Sequence, residues 1–217
     1  MFYSDIEGSI VRKPEKQMSV IRNYFRSDLD KHFIWKLGTN SSFTRKVRLT
    51  LFCYEVHCIA AFRFDQYTHR VFRKSKLLGL FPRAISKVFN LYVHLFHHVY
   101  IDTNAEIGPG FFITHAYGIM IGPTKIGKNF TISHNTTIGW GFAEDGDGVA
   151  IPEIGDNVWV GVGVILSGKI IISDNVTISS GSVLSKNIPE KCLVAGNPGR
   201  VVIQNYFNSL QNRYLIN

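Results

Sequence analysis

Aliphatic residues recur at every sixth position through the C-terminal half of the chain, from Ile101 to Leu184. They form three runs: Ile101, Ile107 and Ile113; Ile126, Ile132 and Ile138; and Ile154, Val160, Leu166, Ile172, Ile178 and Leu184. A helix repeats about every 3.6 residues and a half-buried strand about every two, so neither explains a step of six. A triangular coil with three short strands per turn does, because each strand turns one aliphatic residue inward. The pattern therefore predicts an all-β parallel β-helix over residues 99–203.

The preceding part of the chain, residues 17–98, has the pattern of amphipathic α-helices. Ser27 and Asp28 are typical of a helix N-terminus and predict that a short helix begins there. Gly79 and Pro82 predict a break between two later, longer helical stretches.

Three parts follow from this change of period: an α-helical N-terminal domain at 1–98, the β-helix at 99–203 and a C-terminal tail at 204–217. Charge follows the same division. Residues 1–100 hold 17 Lys and Arg against 7 Asp and Glu, a net charge of +10, whereas residues 101–217 carry −2 of the total of +8. The excess positive charge therefore belongs to the helical half.

Composition excludes several classes of protein. No stretch approaches the roughly 18 apolar residues of a membrane-spanning helix, and the N-terminus lacks the apolar core of a secretory signal. We therefore expect a cytoplasmic protein. The cysteines are odd in number and none forms a C-x-x-C pair, so reduced thiols are expected rather than a disulfide framework or a zinc site: Cys53, Cys58 and Cys192.

The basic and aromatic surface of residues 17–98 has two main interpretations. The first is ordinary helix packing, with Lys and Arg on the solvated face. The second is contact with an anionic glycan or with the inner surface of the membrane, as a peripheral protein. Nucleic acid is not expected as a partner, because no nucleic-acid-binding motif accompanies the charge.

The repeat is broken twice. One extra residue lies between Ile113 and Ile126, and the segment GWGFAEDGDGVAIPE separates Ile138 from Ile154. Insertions into a solenoid emerge as surface loops, often on the binding face. The loop at 139–153 is therefore predicted to form part of an acceptor-binding wall, and a plain surface loop is the alternative.

Four segments of the β-helix region carry a resemblance to a known family: AEIGPGFFITHAYGIMIG, NFTISHNTTIGWG, PEIGDNVWVGVGVILSG and VTISSGSVLSKNIPEKCLVAGNPGRVV. Together they resemble the serine O-acetyltransferase branch of the hexapeptide-repeat acyltransferases, over about half of the chain. The resemblance implies a left-handed parallel β-helix, acetyl-CoA as the donor, no metal, and a homotrimer with active sites between adjacent subunits. Whether two trimers pair through the helical segments is left open.

The catalytic histidine of that family matches His115, within Thr-His-Ala-Tyr-Gly. The choice is chemically reasonable, because a hydroxyl is a poor nucleophile near neutral pH. Imidazole, with an ordinary pKa of about 6.5, can remove the hydroxyl proton as the oxygen attacks a thioester. Direct transfer of this kind needs no covalent acyl-enzyme.

The serine-specific pattern of the family is incomplete. The acidic residue expected fifteen positions before the histidine is replaced by Tyr100; Asp102 points to the same face of the strand and is predicted to orient His115, with a turn residue as the alternative. The Arg-His pair that would bind a serine carboxylate is replaced by Ala150 and Ile151. These departures predict an acceptor other than free serine.

A sugar hydroxyl is the acceptor that this reasoning favours, as in the related enzymes of capsule and surface-polysaccharide synthesis. Neutral hydrogen bonds and aromatic stacking suffice to bind a sugar. Tyr117, Trp140 and Phe142 are predicted stacking surfaces, and His134, about one coil after His115, is predicted to line the acceptor cleft. Roles in the β-helix surface or in a subunit interface are the alternatives.

Small residues on the later coils are predicted to form the donor site, because they leave room for the pantetheine arm: Gly139, Gly161, Val162, Ser180 and Gly181. Lys186 and Arg200 are predicted to meet the phosphates of CoA. For each glycine, a structural corner of the β-helix is the alternative.

Taken together, these features predict an acetyl-CoA-dependent O-acetyltransferase that acts on a surface polysaccharide or its precursor. The second hypothesis is a serine O-acetyltransferase of cysteine biosynthesis. A third, of another class, is a trimeric β-helix scaffold without catalysis, which would have no need of His115 at the motif position. A metal-dependent β-helix enzyme would need three ligands, of which His115 and His134 supply two.

Overall fold

The computed structural model describes residues 14–142 and 149–213. The predicted acceptor loop at 139–153 is therefore described only at its two ends, and residues 143–148 lie outside the described part.

Four helices precede the β-helix: α1 (Pro14–Leu37), α2 (Phe43–Phe52), α3 (Tyr54–Lys74) and α4 (Lys76–His97). The predicted helix start at Ser27 and Asp28 is wrong, because α1 continues through both residues. The break between the later helices falls at Ser75, whose hydroxyl accepts a hydrogen bond from the Leu78 N–H, and Pro82 lies inside α4. Gly79 is needed where α4 crosses α3, because a side chain there would clash with the backbone of Phe72.

Short strands form the rest of the chain, in this order: β1 (Val99–Ile101), β2 (Glu106–Ile107), β3 (Phe112–Ile113), β4 (Ile119–Ile121), β5 (Lys125–Ile126), β6 (Thr131–Ile132), β7 (Thr137–Gly139), β8 (Gly141–Phe142), β9 (Val149–Ala150), β10 (Glu153–Ile154), β11 (Trp159–Val160), β12 (Ile165–Ser167), β13 (Ile171–Ile172), β14 (Thr177–Ile178), β15 (Val183–Leu184), β16 (Cys192–Gly196) and β17 (Gly199–Gln204). A short helix, α5 (Ser209–Arg213), follows.

The strands form the three sides of a triangular coil. Sheet A has the order β1-β4-β7-β12-β15, sheet B β13-β10-β5-β2, and sheet C β17-β16-β14-β11-β6-β3. Pairing within the coil is parallel, and two antiparallel pairs, β8 with β9 and β16 with β17, are added to it. This is the left-handed parallel β-helix that was predicted.

The residues of the six-residue repeat fill the interior. Ile132, Val160 and Ile178 lie in register on successive coils of sheet C, and all three are fully buried. Asparagines form a second ladder at one corner, where the Asn129 side-chain amide donates to Asn157 and that of Asn157 donates to Asn175, each at 3.1 Å. All three asparagines have positive φ, a conformation that asparagine tolerates better than most residues.

The helical segment is fixed to the β-helix by buried charges. The Asp28 carboxylate binds Arg63 at 2.9 Å and accepts from the Phe111 N–H at 2.7 Å. Arg63 also donates to the carbonyls of Ile107 and Gly108, both at 2.7 Å. Asp28, which resembled a helix cap in the sequence, therefore acts as a contact between the two parts of the chain.

Lys31 makes the second such contact and is only 2% exposed. Its ammonium group donates to the Gly110 carbonyl at 3.0 Å, the Asn129 carbonyl at 2.9 Å and the Thr131 hydroxyl at 3.2 Å. Burial lowers the pKa of Lys31 to about 7, and the nearby charge of Asp28 opposes this shift. The cost of burying the ammonium is thus offset only in part by its partners.

Candidate active site at one corner of the β-helix

Several of the predicted site residues meet at the corner where sheet C passes into sheet A, called here the histidine corner. His115 lies between β3 and β4, His134 between β6 and β7, Val162 between β11 and β12, and Gly181 between β14 and β15. Backbone hydrogen bonds stack these turns: Asn135 N–H to the Tyr117 carbonyl at 2.9 Å, Gly163 N–H to that of His134 at 3.1 Å, and Gly181 N–H to that of Val162 at 2.7 Å.

The two histidine rings are in contact. Their centroids lie 5.7 Å apart and the ring planes are inclined by 73°. His115 is exposed, whereas His134 is half-buried. Nδ1 of His134 is buried and has no hydrogen-bond partner among the described residues. A buried polar atom without a partner is costly, so this nitrogen needs a partner from outside the described chain.

Tyr117 and His98 extend the corner toward the helices. Tyr117 is exposed, and its ring meets that of His98 edge-on at 5.3 Å. His98 caps the C-terminus of α4 with a positive φ of 51°. His98 was not among the predicted site residues, although its position between the helical pattern and the first coil is visible in the sequence.

Two glycines explain why the turns stack so closely. Gly118 has a positive φ of 62°, and a side chain there would clash with the amide oxygen of Asn135 on the next coil. At Gly161, a Cβ would lie 2.7 Å from the backbone nitrogen of Ser180. Close packing of neighbouring coils therefore requires glycine at position 161, and this requirement is compatible with a role in ligand binding.

The column of small residues leads away from the histidines to Arg200. The Ser180 hydroxyl accepts from the Val162 N–H at 3.2 Å, and Ala195, paired with Arg200, lies one coil further along. Neighbouring strands are separated by about 4.8 Å, so the five steps from β3 to β17 place Arg200 roughly 24 Å from His115. The corner thus offers an elongated surface with a histidine at one end and a cation at the other.

Asp102 follows β1 and therefore lies at the C-terminal end of the sheet A strands, whereas the histidine corner lies at their N-terminal end. Its carboxylate accepts hydrogen bonds from the Tyr100 hydroxyl at 3.2 Å and from the Asn104 N–H and side-chain amide at 2.8 and 3.1 Å. The contact with the N–H two residues on is an Asx turn. Within one chain these contacts favour the turn interpretation, and none of them involves His115.

Other predicted residues share that far end of sheet A. Gly139 ends β7 beside Ser167, Trp140 follows it and is exposed, and Lys186 comes just after β15. Phe142 lies in β8, and its side chain is outside the described part. Across the hairpin Ala150 pairs with Gly141 and is buried. The structure therefore divides the predicted residues between two corners that border the same sheet.

Within residues 14–142 and 149–213, no group of three or more His, Cys, Asp and Glu side chains could hold a metal ion. The pair of His115 and His134 has no third ligand among them. The same ranges contain no helix long and apolar enough to cross a membrane.

The fold and the corner define a hexapeptide-repeat β-helix protein with a histidine site. No protein-family model matches the chain. It is similar to the serine acetyltransferase of Staphylococcus xylosus, with 36% identity over 137 residues, which are 63% of this chain and 60% of that relative. The matching part thus spans less than two thirds of the relative's length.

Solved structures give the same picture. Serine acetyltransferase from Neisseria gonorrhoeae in complex with serine is 26% identical, with a TM-score of 0.64, covering 87% of this chain and 73% of that one. A serine acetyltransferase in complex with CoA is 21% identical, with a TM-score of 0.66 over 88% and 73% of the two chains. The resemblance to the serine acetyltransferase branch is confirmed, and the surface-polysaccharide subgroup is not.

The predicted polysaccharide acceptor is wrong. The relatives are named serine acetyltransferase, and their similarity favours the second hypothesis. The sugar prediction depended on a few local positions, chiefly Tyr100, Ala150 and Ile151. The match over 137 residues outweighs those departures.

Proposed function

We propose that this protein transfers the acetyl group of acetyl-CoA to the hydroxyl of serine. The observation that carries the proposal is the exposed His115 at the family's catalytic position, at the head of a column of small residues. Similarity to serine acetyltransferases, including one solved with serine and one with CoA, supports the choice of acceptor and donor.

In this mechanism His115 acts as the general base. Its imidazole takes the proton of the serine hydroxyl while that oxygen attacks the thioester carbonyl. The new C–O bond forms, the C–S bond breaks, and His115 returns the proton to the departing thiolate. Backbone N–H groups of the corner turns are proposed to stabilise the oxyanion. His134 is proposed to line the acceptor cleft, where its unpaired Nδ1 can meet the substrate.

The donor is proposed to bind along the column formed by Gly161, Val162, Ser180 and Gly181. Small side chains leave room there for the pantetheine arm, and Arg200 at the far end would meet the phosphates. The charge of Arg200 is exposed, as this role requires.

We propose a homotrimer in which sheet A of one copy faces a neighbour. Its outer face is apolar and exposed at Tyr100, Met120 and Ile165. Such packing would bring the far-end residues of one copy to the histidine corner of the next: Asp102, Gly139, Trp140, Phe142 and Lys186. We also propose a cytoplasmic location, with peripheral contact at the inner membrane surface.

The test is free-thiol release from acetyl-CoA with L-serine as acceptor. Ala150 and Ile151 supply no charge for the serine carboxylate, so we expect weak serine binding and a high KM. His115→Ala is expected to lower kcat by about 10²–10⁴-fold, which is the usual contribution of a general base. His94→Ala is the matched control, because His94 is an exposed histidine of α4 that is not one of the proposed site residues. Absence of serine-dependent thiol release, or equal rates for the two variants, would contradict the proposal.

A further inference from the structure

The exposed side of α4 is unusually apolar. Leu77 is 87% exposed, Phe81 75% and Leu95 59%. With their neighbours they occupy positions three or four residues apart, which places them on one face of the helix. The other exposed apolar residues of this face are Leu78, Leu80, Ile85, Val88, Leu91, Tyr92 and Phe96.

Helix α2 carries a second exposed apolar stripe at a spacing of four residues: Phe43, Val47 and Leu51. The two helices approach each other at their C-terminal ends. There Tyr54, which is the first residue of α3 and lies two residues after the end of α2, stacks on His97 of α4 with ring centroids 5.3 Å apart. The apolar faces of α2 and α4 are together called here the apolar platform.

The exposed charges beside the apolar platform are basic, because the nearby carboxylates of Glu55 and Asp65 are buried. Residues 31–54 and 66–101 contain eleven Lys and Arg and no Asp or Glu. Lys74 and Lys76 are exposed where α4 begins. Four of the eleven are used inside the protein: Lys31 is buried, Lys36 pairs with buried Glu55 at 3.0 Å, and Arg83 and Lys87 pair with buried Asp65 at 2.7 and 3.5 Å.

The apolar platform and the basic residues beside it fit a membrane surface better than a second copy of the chain. No described helix can span a bilayer, so α4 would lie on a membrane and not across it. A second copy docked face to face would bring the same basic margins together, which is unfavourable. An interfacial helix combines Leu and Phe on one face with Lys and Arg beside it.

We infer that the apolar platform docks on the surface of an anionic lipid bilayer. Leucine and phenylalanine side chains of α4 enter the boundary between headgroups and acyl chains, and the basic residues meet the anionic headgroups. The inference concerns binding alone and does not depend on which acceptor the histidine corner acetylates.

Co-sedimentation of the full chain with vesicles tests the inference. Vesicles of phosphatidylcholine alone are compared with vesicles containing about one third phosphatidylglycerol, at low and high salt. We expect at least tenfold stronger binding to the anionic vesicles, and a loss of that difference at high salt, where surface charge is screened.

Two pairs of substitutions separate the contributions. Phe81→Ser with Leu95→Ser removes apolar area, and Lys74→Gln with Lys76→Gln removes charge; each charge is expected to contribute roughly fivefold. Val202→Ser with Phe207→Ser is the matched control, because both residues are exposed apolar side chains outside the platform. Thermal unfolding verifies that each variant is folded.

Binding to anionic vesicles that the platform variants lose and the control retains would support the inference. Equal binding to both kinds of vesicle, or no binding, would overturn it. The inference would also be overturned if a platform variant bound vesicles like the wild type but had a different sedimentation coefficient without vesicles. That result would mean that the apolar platform is a contact between copies of the chain.

Discussion

Lys31 provides a sharp test of how the helices are held to the β-helix. Its ammonium is buried and donates three hydrogen bonds, to the carbonyls of Gly110 and Asn129 and to the hydroxyl of Thr131. Burial lowers its pKa to about 7 in the folded chain, against an ordinary value of 10.5. Lys31→Met keeps most of the side-chain volume and removes the titration.

The stability of the folded chain depends on pH because Lys31 takes up a proton when the chain unfolds above pH 7. Between pH 7 and 10.5 the unfolded state binds more protons at Lys31 than the folded state, so the free energy of unfolding rises with pH in this window. With a folded pKa of about 7, the rise between pH 7 and pH 9 is about 2 kcal/mol. The Met variant lacks this contribution. The stability of the wild type relative to the variant should therefore increase by that amount.

Urea unfolding at pH 7, 8 and 9 measures this difference, with protomer concentration held constant because assembly affects apparent stability. Fluorescence is a suitable signal, since Trp35 of α1 and Trp159 of β11 are in contact at this junction, with ring centroids 5.6 Å apart. Lys169→Met, at an exposed position, is the control and should show no such trend. A wild-type-minus-variant difference that stays constant within about 0.5 kcal/mol would refute the reasoning, because the three hydrogen bonds would then hold the proton at an ordinary pKa.

Two further predictions concern the β-helix. Gly118→Ala should destabilise the fold by at least about 1–2 kcal/mol, because the positive φ disfavours a Cβ. It should also lower serine-dependent thiol release, because the new Cβ displaces Asn135 beside the histidines. Urea unfolding and initial rates measure the two effects, and unchanged values for both would contradict the role of the turn. Leu166→Ala should cost about 2–5 kcal/mol, since Leu166 is fully buried between Ile138 and Leu184; a loss below about 1 kcal/mol in urea unfolding would mean that the coil collapses around the cavity.

The sequence predicted the interior of the β-helix well because each inward residue repeats a local pattern. Ile132, Val160 and Ile178 could be aligned by counting alone. Asp28 could not be assigned correctly in this way. Its partner Arg63 lies 35 residues away and Phe111 lies 83 residues away, and no local pattern records such contacts. A short polar residue inside a helix then resembles a cap.

The candidate site shows the same division between local and distant information. Counting along the repeat predicts that His134 lies about one coil after His115, and in the structure the two rings are in contact. The alternation of side chains predicts the face of the strand on which Asp102 lies, but not the end of the strand that it occupies. The turn that Asp102 makes with Asn104 lies at the opposite end of sheet A from His115. The direction of side chains alternates along a strand and can be predicted from the sequence. Which corner of the β-helix a residue occupies depends on where the strands begin and end, and this requires the structure.

The division of the predicted residues between two corners has a structural explanation in the proposed trimer. A coil of this β-helix is too small to enclose a substrate, because aliphatic side chains fill its interior. A site must therefore form on the outside, and one corner provides only one wall. The histidine corner and the far end of sheet A border the same exposed apolar face, which includes Met120 and Ile165. Packing of that face against a neighbour would supply the second wall. The residues that lie far from His115 in one chain are therefore those expected to complete the site in the assembly.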